Sequence, residues 1–150
     1  MSLGHRVPGV TPRAAIAWWS DFQEGRHDHP FLPATRRRIL ARGSASVTME
    51  EVTRVLGVQI FRESVTARIG EQEVRFAGQN DLARFDGAYA FHEEGDGTRI
   101  LLDAEIQLKP ALRWADVAAR PLVLTILKVD LSGHARHMRR ELTGGGTRQG

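Results

Sequence analysis

The chain has no cysteine among its 150 residues. That excludes a disulfide framework, thiol nucleophiles and thiolate metal sites. Lysine is nearly absent as well: Lys109 and Lys128 stand alone, and arginine makes up the rest of the 21 basic residues. This bias explains how a formal charge of only +3 coexists with a pI of about 10.1. A guanidinium holds its proton to very high pH, so a small excess lifts the pI far. Since +3 creates little long-range field, the pI is no argument for nucleic acid, and no nucleic-acid partner is expected. No apolar run approaches the roughly 18 residues needed to span a bilayer. The first residues lack the positive segment and apolar core of a secretory signal. A cytoplasmic protein without stable membrane insertion is expected.

Against these absences stands one long amphipathic stretch, from Pro121 to Leu142. Leu124, Leu127, Leu131, Ala135, Met138 and Leu142 follow at steps of three or four, which makes one stripe of a helix. Leu122, Ile126 and Val129 make the first half apolar on its other side too. A stripe of this length requires a large partner surface. The preceding residues supply one, because they read mostly as strands.

Thr11-Pro12 is a helix start, with Thr as N-cap and Pro at the first helical position. The helix runs to about Phe22, with Ala15, Trp18, Trp19 and Phe22 on one face. Residues 1 to 9 hold at most a short strand and are expected to be partly disordered, as are residues 144 to 150. Residues 23 to 35 read as loop, with one helical turn around His27 to Leu32. Strands are then predicted over 38–42, 47–56, 58–69, 72–78, 87–93 and 98–108, with a loop over 79–86. Val47, Met49 and Val52 fall out of step unless a bulge lies near Glu50-Glu51. Gly95-Asp96-Gly97 is the strongest hairpin signal. Residues 111 to 120 are helical in pattern, and Pro121 kinks or restarts the helix. One domain over residues 1–150 accounts for the whole pattern.

The order of elements is a helix near the N-terminus, hairpin-connected strands, then a long final helix. The Trp18-Trp19-x-Asp21 helix end, the Gly87-x-Tyr89-x-Phe91 strand and the Gly95-Asp96-Gly97-Thr98-Arg99-Ile100 hairpin occur in that order. Over residues 10 to 142 the chain resembles the START-like helix-grip superfamily. This is the SRPBCC group, which includes polyketide cyclase/dehydrase-like and birch-pollen-allergen-like proteins. The resemblance implies an α+β fold: a curved antiparallel sheet of six or seven strands gripping the C-terminal helix around an apolar cavity. It implies a hydrophobic small-molecule ligand of lipid, polyketide or aromatic type, without a cofactor. It transfers no catalytic residue, because the superfamily has no shared catalytic signature.

The inward-facing set expected to touch a ligand is Trp19, Phe22, Phe61, Val65, Phe76, Tyr89, Phe91, Leu102, Leu124 and Leu131. Each of these alone is more readily explained as filling a dry core; as a group they have the composition of an apolar ligand site. Tyr89, the only tyrosine, offers a phenol to orient a ligand carbonyl or hydroxyl. Glu63 shares strand phase with Phe61 and Val65 and is an acid/base candidate if it faces the cavity, although a return to solvent is favoured. Glu51 is placed on the outer face, opposite Arg62. His27, Asp28 and His29 invite a metal reading but lack a third partner, and no metal is expected. Lys128 is taken to snorkel to water rather than to form a Schiff base. Arg36, Arg37, Arg38 and Arg42, like Arg136, His137, Arg139 and Arg140, read as solvated faces. Three functions follow: a binder of a hydrophobic small molecule, a cyclase or dehydratase-type enzyme, or a dry-cored homodimer joined through Leu122, Ile126 and Val129.

Overall fold

The computed structural model describes residues 1–22, 35–56 and 58–144, except the side chains of Thr35, Val55, Ile60 and Phe61. The elements in order are β1 (Ser2–Pro8), α1 (Pro12–Trp19), β2 (Thr35–Arg42), β3 (Ser46–Val55), β4 (Val58–Ile69), β5 (Glu73–Gln79), β6 (Ala83–Glu94), β7 (Gly97–Leu108), a 3₁₀ helix (Pro110–Ala115) and α2 (Asp116–Gly144). All seven strands form one antiparallel sheet in the order β1-β7-β6-β5-β4-β3-β2. The chain is therefore an α+β helix-grip fold. The expected helical turn at His27 to Leu32 and the His27, Asp28 and His29 group lie outside the described residues.

β7 shows why the sheet has an inside. Thr98, Ile100, Leu102 and Ala104 are buried, while Arg99, Asp103 and Glu105 are exposed, as a period of two requires. Phe91 on β6, Val74 on β5, Ala67 on β4 and Met49 on β3 continue that inner face, and Leu131, Ala135 and Met138 of α2 close over it. α2 packs chiefly on β1, then on the 3₁₀ helix and α1, so its N-terminal half stands clear of the central strands. Leu131, Ala135 and Met138 are the buried part of the predicted stripe, whereas Leu142 is exposed because the helix outruns the sheet.

Several expectations are corrected. Residues 2 to 8 form a full edge strand, with Val7 buried and Pro8 as its last residue, where a missing N–H costs no ladder bond. α1 stops at Trp19 rather than Phe22, with Ser20 as its C-cap, whose amide and hydroxyl both donate to the Ile16 carbonyl. There is no bulge at Glu50-Glu51: register runs unbroken there and shifts instead between Thr53 and Arg54, and between Ile39 and Ala41. Val47, Met49, Glu51 and Thr53 share the inner face, and Val52 faces out. β6 begins at Ala83, inside the predicted loop, because Asn80 alone makes the turn by accepting from the Leu82 and Ala83 amides. Pro121 neither breaks nor restarts α2. Pro121 and Val117 are both exposed, so water can serve the carbonyl that a proline leaves unpaired.

Candidate functional site

Between the sheet and α2 lies a cavity of about 530 Å³. Small residues leave room for it: Ala67, Ala83 and Ala104 line it from β4, β6 and β7. Glycine deepens it further. A β-carbon at Gly87 would sit 2.8 Å from Phe76 Cζ, and one at Gly78 would sit 2.6 Å from Phe85 Cζ. Each aromatic ring thus lies close against the glycine paired with it on the neighbouring strand. A second depression, of about 1000 Å³, mixes charged side chains such as Arg68, Arg75, Asp103, Glu105 and Arg120 with apolar ones such as Ile106, Leu108 and Val123. It has no aromatic wall like that of Trp19, Phe76 and Tyr89.

One wall is aromatic. Trp19, at the end of α1, sits 4.9 Å from Tyr89 and 5.7 Å from His134, centroid to centroid. Phe76 lies 5.3 Å from Tyr89 on the other side. Of the residues proposed from sequence, Trp19, Phe22, Val65, Phe76, Tyr89 and Glu63 line the cavity. Phe91, Leu102 and Leu131 do not: they are buried in the core at the end where α1 and α2 lie down on the sheet. Their parity on the strand is inward, but their position along it is beyond the cavity. Leu124 is half-exposed and absent from the lining. The Phe61 side chain lies outside the described residues.

The opposite wall is polar, and most of it was missed. Arg37, Glu51 and Glu63 stand in one row across β2, β3 and β4, each directly opposite the next. Glu51 therefore pairs with Arg37, at 2.6 Å, and Arg62 on the outer face pairs with Glu50 instead. The Arg37 and Glu51 side chains are only 10% and 16% exposed, and the guanidinium also lies over the Phe22 ring. Glu63 does not return to solvent. Burial first, and then the charge of Glu51, push its carboxyl above the usual range, while a hydrogen bond with Asn80 opposes the shift. Tyr89 is shifted upward by burial and by the charges of Asp130 and Glu51, so it stays a neutral phenol able to donate a hydrogen bond.

α2 contributes a polar stripe beside its apolar one: Asp130, His134, His137 and Glu141 all line the cavity. Their spacing of four, three and four is the helical period applied to polar residues. That was the available signal, hidden because His137 was grouped with its arginine neighbours. His134 Nδ1 lies 3.3 Å from Asp130 Oδ1. Burial disfavours the imidazolium and Arg37 opposes it, but the hydrogen bonds and charge of Asp130 prevail, so the His134 pKa is raised. At the rim, Trp18 Nε1 donates to Glu141 Oε2 at 2.6 Å, and His137 Nε2 lies 3.3 Å from Glu141 Oε1, which ties α1 to α2.

No family model and no curated protein matches the sequence. Solved structures do match. One is a protein of Thermus thermophilus, 19% identical, with 98% of this chain and 99% of that one aligned and a TM-score of 0.72. The Zhui aromatase/cyclase of a Streptomyces species is 12% identical, with 94% of this chain and 92% of that one aligned and a TM-score of 0.70. A START superfamily protein of Mycobacterium smegmatis is 16% identical, with 92% and 97% aligned and a TM-score of 0.63. At these identities the likeness establishes the START-like helix-grip fold.

Proposed function

We propose that this protein encloses a largely apolar small molecule, carrying at least one polar group, in the cavity between its sheet and α2. The observation that carries this reading is the division of one 530 Å³ space into an aromatic wall and a polar wall. Trp19, Phe76, Tyr89 and Val65 would cover the ligand's body. Removing apolar surface from water at about 25 cal/mol per Å² would supply most of the affinity. Tyr89, Glu63, His134 and the Arg37–Glu51 pair would orient the polar end. The aromatase/cyclase and START neighbours favour a ligand of lipid or polyketide type. A cavity of this size speaks against the dry-cored homodimer.

A second reading is favoured by one specific observation: titratable groups line the same space. Glu63 is held above the usual carboxylate range and His134 above the usual imidazole value, so both shifts run toward neutral pH. A titratable group inside the cavity is placed to give or take a proton. A cyclase or dehydratase-type reaction would use Tyr89 to polarise a carbonyl while His134, steadied by Asp130, or Glu63 moves a proton at the neighbouring carbon.

Titration of an apolar fluorescent naphthalene-sulfonate probe into the protein tests the binding reading. Saturable probe binding that quenches Trp19 emission is expected, and Val65→Trp, which fills the cavity, abolishes it. Binding that survives Val65→Trp overturns the placement. The two readings separate on the bound compound: an enzyme converts it and His134→Ala or Glu63→Gln retains it unconverted, whereas a carrier releases it unchanged.

A further inference from the structure

The turns between β3 and β4 and between β5 and β6, and the exit from β7 into α2, all lie at one end of the sheet, because the strands alternate in direction. That end collects most of the exposed large apolar side chains among the described residues. Leu56 is 98% and Val58 63% exposed in the first turn; Leu82 is exposed in the second; Trp114, Val117 and Leu122 are exposed in the third segment. Leu56 also holds a left-handed backbone, with φ 51°, which a side chain other than glycine adopts at a cost. A position that combines strain with full exposure of a leucine points to use rather than to packing. The Trp114 indole already donates to the Ala111 carbonyl, at 3.1 Å, so its ring projects without an unmet polar need.

The cavity also reaches the surface at this end, where Leu82 and Ile126 both line it and stand exposed. The same three segments carry Arg54, Arg84, Lys109, Arg113 and Arg120, against only Asp81 and Asp116. Asp116 is itself paired with Arg120, at 3.2 Å.

We propose that this end docks the protein on an anionic lipid surface, with the cavity mouth facing the bilayer. Separate apolar tips with basic residues between them suit a fluid interface. The tips enter the acyl boundary one by one, and the cations remain at the headgroups. A protein partner would instead need one continuous complementary patch, which three separate turns do not make. No helix among the described residues is long and apolar enough to cross a membrane. The docking rests on the ligand reading for its purpose, since it gives an apolar ligand a path that avoids water, but the two are measured separately.

Co-sedimentation with vesicles of phosphatidylglycerol and phosphatidylcholine in equal parts, against phosphatidylcholine alone, tests it. The protein binds the anionic vesicles, and added salt weakens the binding. Leu56→Ser and Trp114→Ser each reduce it by about tenfold, the loss of one apolar insertion, while thermal stability is kept. Equal affinity for both vesicle types, no binding to either, or unchanged binding by both variants overturns the proposal. So does a solution dimer that the same variants dissolve, since it would assign the tips to a second copy. Val65→Trp keeps vesicle binding while losing the apolar probe, so failure of the docking and failure of the cavity reading are told apart.

Discussion

Glu63 is the residue whose chemistry departs most from its sequence expectation. Directly opposite Glu51 and inside the sheet, it meets a like charge where water is scarce. Its folded pKa is raised above its ordinary value of 4.5, so the folded protein prefers the neutral acid. Stability is therefore highest below the unfolded pKa and falls as the pH rises toward the folded one. Glu63→Gln should match the wild type in acid and melt at a higher temperature at neutral pH; melts that coincide at every pH would mean that Glu63 is not opposed as described. His134 behaves differently in origin but alike in sign. Its folded pKa is also raised, so the Asp130 interaction stabilises at mildly acidic pH and is lost as the pH climbs through the folded value. Asp130→Asn should lower the His134 pKa in an NMR titration and narrow its stability gap from the wild type as pH rises. An unmoved His134 titration would detach the two residues. His134 was not legible in the sequence, and Glu63 was legible only in part. Strand parity put Glu63 inward, but the general rarity of buried carboxylates argued against trusting it.

At the level of elements, β1 is a paired strand along its whole length rather than a short, partly disordered one. Gly97 approaches β1 so tightly that a β-carbon there would lie 2.8 Å from Pro8 Cα and closer still to the Val7 carbonyl. Gly97→Ala should cost about 1–3 kcal/mol by forcing β1 off β7, measured by chemical denaturation. A loss below a few tenths would show that the edge yields freely. Residues 2 to 8 were discounted because Gly4 and Pro8 look like breakers, yet an edge strand tolerates both when its partner is as regular as β7. β7 was legible because apolar and polar residues alternate along it from Ile100 to Leu108. β3 was misphased because Glu51 and Thr53 face inward, and a rule that sends polar residues out must then invent a bulge. The polar stripe of α2 was overlooked for the same reason: attention to apolar periodicity passes over Asp130, His134, His137 and Glu141, which repeat just as regularly.

For the molecule as a whole, the order of elements sufficed to anticipate a sheet gripping the final helix, and seven antiparallel strands with α2 across them make that fold. The chemistry within it depends on juxtapositions between distant segments, such as Trp19 between Tyr89 and His134, which no local pattern discloses. The cavity itself arises from small residues, Ala67, Ala83 and Ala104 among them, that propensity treats as neutral. The most direct measurement is solvent extraction of the protein purified from its own host, wild type beside Val65→Trp, followed by mass spectrometry of the extracts. The account predicts one hydrophobic compound, in molar proportion to the wild type and missing from the cavity-filled variant. The same compound recovered equally from both, or an apolar probe finding no site in an empty wild type, would contradict it.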